Sequence, residues 1–251
     1  MAQGEGIRRS VGVDKEGLME QHRVSGVTVK RWRYQPMIPQ PDYIRRTKMR
    51  IETLLVGSLL FASISVNAAV CPEFSGRGLD YTNPKDRKRL GLVEKFHFTE
   101  DVRSLRKGAS SYLIDDLEYV LNFFPNHHPA LNALARLVIR EGTPLPPHAD
   151  ANIECRFRWA EQAQPMDAMV PVIQGVYYSR VGRPEDAKTA LEKAVKLAPD
   201  NPEVNYNLGL ALYDLEEYEG ARSYARKAYR GGYPLPGLRN MLERAGYPLS
   251  D

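Results

Sequence analysis

GVYYSRVGRPEDAKTALEKAVKLAPDNPEVNYNL, residues 175–208, runs directly into GLALYDLEEYEGARSYARKAYRGGYP, residues 209–234. Laid one under the other, the two stretches agree at a fixed offset. Gly175 returns as Gly209, Ala187 as Ala221 and Ala194 as Ala228, each 34 residues on. Half of the pattern extends backwards: Phe157, Ala160 and Pro165 stand 34 residues ahead of Leu191, Ala194 and Pro199. A period of 34 predicts a helix-turn-helix unit that stacks on copies of itself into a solenoid. The residue types supply the packing reason. Gly175, Gly209, Ala187 and Ala221 are small enough to let two helices approach closely, while Tyr178, Leu191 and Leu212 fill the space between units. Pro199, and Pro234 one place later than strict repetition, stop the second helix because the ring clashes with the preceding turn.

On these residues the chain resembles the tetratricopeptide repeat family. The resemblance implies an all-α, tetratricopeptide-like solenoid, with a C-terminal capping helix and an irregular N-terminal arm. It also implies a surface that holds another protein rather than a pocket for chemistry. The repeat domain is expected at residues 109–247. Ahead of the two clear units lies a degraded one, with Leu131, Leu134, Ala135 and Val138 in its first helix and Phe157 and Ala160 in its second. Its surplus length falls in the proline-rich loop GTPLPPHAD, residues 142–150. DDLEYVLNFFPNHHP reads as an isolated second helix with Leu117 and Val120 inward and Pro125 closing it. PGLRNMLERAG, residues 236–246, reads as the cap, with proline first and glycine last.

In the family the first helix of each unit lines a concave groove. Carried onto this chain, the partner-binding candidates are Asn132, Arg136 and Arg140, then Val172, Val176 and Arg180, then Tyr206, Asn207, Leu210 and Tyr213, with Met169 and Glu203 beside them. Val172, Val176, Tyr206 and Leu210 stand where a clamp for a terminal carboxylate would need polar groups. The expected ligand is therefore an extended or helical peptide with apolar anchors and some acid. The arm competes for part of this stripe.

The front of the chain is a different kind of sequence. Residues 49–68, MRIETLLVGSLLFASISVNA, have a basic start, an apolar stretch and a small residue at the end, which is the outline of a secretory signal peptide. An uncleaved anchor through residues 53–70 is the alternative. Residues 1–48 are read as a disordered leader, or as an overextended start of the gene. Charge follows the same division. Of the chain's +4, residues 1–68 carry 11 Lys+Arg and 6 Asp+Glu, and residues 69–251 carry 24 and 25. The nearly neutral remainder gives no support to nucleic-acid binding. Export makes Cys71 and Cys155 candidates for a disulfide that pins the arm, residues 69–108, onto the degraded unit. Within the arm, Thr99 is placed to cap a short helix. The run from Leu92 through Thr99, and the PNHH stretch, are similar to a group of proteobacterial exported repeat proteins.

No motif for catalysis stands out. The sequence has no HExxH, CxxC or phosphate-binding loop. His127-His128, beside Asn126 and between prolines, reads as a turn and helix cap, and Asp115, Asp116 and Glu118 as first-turn acids. No cofactor and no metal are predicted. The leading reading is a non-enzymatic scaffold of the bacterial envelope with a protein or peptide partner. Two rivals remain: an envelope enzyme or wall-binding module using Asp80, Tyr81 and His97 of the arm, and a cytoplasmic-side factor with reduced thiols.

Overall fold

The computed structural model describes residues 71–249, together with the backbone of three strands nearer the N-terminus. Those strands, β1 (Ser10–Asp14), β2 (Gly17–Val24) and β3 (Val27–Trp32), form an antiparallel meander. Asp14 pairs with Gly17 and Val24 with Val27, so two residues separate the strands at each reversal. The rest of the leader, residues 1–48, lies outside the described residues. The signal-like residues 49–68, and the alternative anchor at 53–70, lie outside the described residues.

From residue 71 onward every regular element is helical. In chain order these are a 3-10 turn (Asp86–Arg89), α1 (Leu90–His97), α2 (Glu100–Arg103), α3 (Leu113–Phe123), α4 (His128–Glu141) and α5 (Ile153–Ala163). Then come α6 (Met169–Arg180), α7 (Pro184–Leu197), α8 (Pro202–Asp214), α9 (Tyr218–Arg230) and α10 (Gly237–Arg244). Pairs α6–α7 and α8–α9 are the two clear repeat units, α4–α5 is the degraded one and α10 is the cap.

The small residues do what the repeat requires. A Cβ on Gly175 would lie 2.5 Å from Cγ of Leu191, and one on Gly209 would lie 2.5 Å from a methyl of Leu238 on the cap. Ala187, Ala194, Ala221 and Ala228 have no exposed surface at all. Helix starts follow local chemistry. Asn201 accepts backbone N–H bonds from Glu203 and Val204, with Pro202 occupying the first turn, where its missing N–H costs nothing. α6 packs against both α4 and α8, so the first helices of successive units lie side by side.

The arm is more regular than its composition suggests. Thr99 accepts from the Val102 N–H as expected, but α1 precedes it and packs on α3. Leu90, Val93, Phe98 and Val102 are buried. α1 and α2 thereby supply the partner that the isolated helix α3 lacks, and cover the end of the solenoid. Upstream, the chain runs along the C-terminal end of α3, where Arg77 and Leu79 donate backbone N–H bonds to the carbonyls of Asn122 and Phe123. Cys71 is bonded to Cys155 on α5, with Cα atoms 5.4 Å apart. Phe74 packs on Trp159, whose indole N–H donates to the Pro72 carbonyl.

Candidate functional site

α4, α6 and α8 present a shared concavity of about 430 Å³. Its wall from α4 is His128, Pro129 and Asn132; its floor from α6 is Met169, Val172, Ile173 and Val176; its far wall is Glu203 and Asn207 of α8, with Tyr233 beyond. Four of the ten partner-binding candidates meet here: Asn132, Val172, Val176 and Asn207. The floor is aliphatic and the two flanking walls each offer a side-chain amide. Such a surface can bury apolar side chains and hydrogen-bond a backbone.

The other six lie elsewhere. Arg136 and Arg140 are exposed, but their guanidinium groups donate to the carbonyls of Arg103 and Leu105 at the end of α2. The arm therefore takes up these two cations, which also suits the negative end of a short helix. Arg180 is exposed at the last residue of α6. Tyr206 is turned inward, 7% exposed, and stacks on Tyr233 at 4.1 Å between ring centres. Leu210 is half-buried against the core, and Tyr213 sits edge-on to Tyr218. The concavity is thus less basic than the sequence suggests. Glu203 is the carboxylate among its lining residues.

A polar joint fixes the α4 wall. Asn126 is fully buried; its Oδ1 accepts from the Tyr81 N–H, and its Nδ2 donates to Asp80 and to Oδ2 of Asp167. The same Oδ2 is 2.7 Å from Nε2 of His128, while Oδ1 accepts the Met169 N–H at the start of α6. One carboxylate thus ties the arm joint, the groove wall and the first turn of α6 together. His127 caps α4 by accepting the Ala130 N–H on Nδ1. That bond assigns the proton to Nε2, which donates to Glu94 at 3.1 Å. Burial first, then the positive charges of His128, Arg103 and Arg87, lower the His127 pKa to about 3.

The reading of PNHH as turn and cap agrees with this geometry, but its long-range partners do not follow from local spacing. Of the acids read as first-turn, Glu118 lies beyond the first turn of α3, and both it and Asp116 are buried. Asp116 accepts from Ser110 and from the Ala109 N–H, and pairs with His97 at 2.8 Å. Burial alone would raise its pKa, but the bonds from Ser110, His97 and the backbone outweigh that and lower it. Glu118 pairs with buried Arg156 at 2.6 Å, and there burial prevails and raises the carboxyl. Of the arm residues considered for chemistry, Asp80 and Tyr81 are consumed by the joint, and His97 lies in the separate Asp116 cluster, stacked on Tyr119. Among the described residues no group of three or more His, Cys, Asp or Glu is placed to hold a metal ion. No helix among them is long and apolar enough to cross a membrane.

Residues 174–234 match the tetratricopeptide repeat family. Solved structures similar to part of the chain include the first repeat domain of human RPAP3, at 18% identity over 49% of this chain and 91% of that one, with a TM-score of 0.40. PilF of Pseudomonas aeruginosa shares 20% identity over 64% of this chain and 69% of its own, with a TM-score of 0.46. MamA shares 15% over 58% and 77%, with a TM-score of 0.41. No curated protein sequence matches significantly.

Proposed function

We propose that this chain, which carries tetratricopeptide repeats, is a non-enzymatic scaffold of the bacterial envelope. It holds a segment of another protein in the concavity between α4, α6 and α8. The observation that carries the reading is the lining itself: an aliphatic floor at Val172, Ile173 and Val176, flanked by the amides of Asn132 and Asn207 on separate helices. That lining favours an extended or helical peptide with apolar anchors, and it favours acid less than the sequence did, because Arg136 and Arg140 are occupied by the arm. The envelope assignment is supported by the Cys71–Cys155 bond, since such bonds persist in oxidising compartments. It is also supported by the signal-like residues 49–68.

A photo-reactive side chain placed at Asn132 or at Asn207, in cells of the source organism, tests this. Both positions are expected to cross-link the same protein, and Val176→Glu in the floor is expected to abolish both adducts. An equivalent probe at Lys196, exposed on α7, serves as the reference position. Groove probes that capture no more than the Lys196 probe would sink the proposal.

A further inference from the structure

A second concavity, about 970 Å³, opens between α9 and the cap, and none of its lining residues lines the groove. Three arginines face it: Arg226 and Arg230, one helical turn apart on α9, and Arg239 on α10. Among the described residues no carboxylate lies within ion-pairing distance of any of the three, although neighbouring Arg222 is paired with Glu219 at 2.7 Å. The site is held in shape. The Tyr229 hydroxyl donates to the Leu235 carbonyl and accepts the Arg239 N–H, so its ring is fixed from both sides. The Arg239 guanidinium lies over that ring at 4.5 Å, which leaves its donor fork outward.

The charge is local rather than inherited from the chain. Residues 203–219 contain five acids and no base; residues 221–244 contain six bases and one acid, Glu243. That acid stands on the wall of the concavity, and Leu249 and Tyr229 add apolar surface. Planar guanidinium forks match carboxylates and phosphates alike, but the apolar surface at Leu249 and Tyr229 favours a polypeptide segment, which brings apolar side chains along with its carboxylates. We infer that the α9–α10 cleft is a second binding site, outside the groove, for an acidic polypeptide segment of a partner protein. Carboxylates engage Arg226, Arg230 and Arg239, and an apolar side chain rests against Leu249. Ser223 on the same face of α9 offers a hydroxyl to the segment.

The test uses the full chain and a dye-labelled peptide of eight glutamates with a central leucine, read by fluorescence anisotropy. Binding is expected at low salt and weakens as salt is added. The double variant Arg226→Gln/Arg239→Gln is expected to lose about tenfold or more in affinity, the scale of one or two charge-assisted bonds. Arg180→Gln, and the groove variant Val176→Glu, are expected to bind the peptide unchanged, which separates this site from the groove. Thermal melting of each variant checks that it is folded. Four outcomes would overturn the inference: no binding by the folded chain, full binding by the double variant, loss of binding in Val176→Glu, or displacement of the peptide by millimolar inorganic phosphate beyond a chloride control of equal ionic strength. A concentration-dependent dimer that disappears with Arg226→Gln/Arg239→Gln, without peptide binding, would assign the cleft to a second copy of this chain and likewise overturn it.

Discussion

The two halves of the helical region are built on different principles. α6 to α9 hold together mainly by shape: six alanines with no exposed surface, two glycines at contacts where no Cβ fits, and a single buried polar side chain, Asn205, bonded locally to the carbonyls of Pro199 and Asn201. The arm, α3, α4 and α5 hold together by specific bonds. There the core contains Asn126, His127, Asp116 and the Glu118–Arg156 pair, and a disulfide closes the edge. A strict repeat needs no such devices, because each unit offers its neighbour the same complementary face. Where the 34-residue pattern lapses, the faces no longer match by repetition. Polar groups and a covalent link then specify a single arrangement, at the cost of burying charge.

Cleaving the disulfide should separate the halves most sharply. A covalent link across 84 residues removes chain entropy from the unfolded state, and its loss is expected to lower stability by about 4 kcal/mol in that account. Amide hydrogen exchange on the Cys71→Ser/Cys155→Ser protein should show lost protection in α3 and α5, with α8 and α9 less affected. Uniform loss through α9 would mean that the two halves unfold as one, and would remove the contrast.

The reciprocal experiment is Gly175→Ala. Its methyl would be forced against Leu191, and overpacking of this kind costs about 2 kcal/mol. Denaturant melts should show the loss, and protection should fall first in α6 and α7. A neutral result would mean that Leu191 can swing aside, and that close approach is not what the small residue secures.

Within one pH unit below 6.5 the effect of acid is the smallest of the three, and it grows as the pH falls further. Between pH 6.5 and about 3 the unfolded His127 is protonated while the folded one is not. The unfolded state then holds more protons, so stability falls as pH drops through that window, by up to about 1.4 kcal/mol per pH unit. Asp116, with its lowered pKa, adds loss in the same direction at lower pH; Glu118, with its raised one, acts in the opposite direction. His127→Asn keeps a capping acceptor for α4 and removes the titrating group. Its stability should be lower at neutral pH but less steep toward acid, measured by denaturant melts across the range. Equal slopes for the two proteins would assign the acid sensitivity to other groups.

How much of this was legible depended on distance along the chain. The offset from Gly175 to Gly209, the caps at Asn201 and Thr99, and the breaks at Pro199 and Pro236 lie within one or two helical turns of what they control. Part of the concavity's lining was legible for the same reason. Asn132, Val172, Val176 and Asn207 follow from counting along a helix, and they do line one concavity. Tyr206 passes the same count yet stacks on Tyr233, because a ring at that position meets the chain entering the cap.

By itself, then, the sequence determined the repeat, its period, the places where helices start and stop, and the two cysteines able to meet. Tertiary structure alone decided that Arg136 and Arg140 serve the arm, that Asp167 ties the groove wall to the joint, and that three arginines from two helices share one cleft. The physical reason is range. Propensity and capping act over a few residues and small-residue packing recurs at a fixed offset, whereas a polar side chain's partner is set by whatever surface the fold brings to it. For Asn126 that surface comes from 41 and 46 residues away.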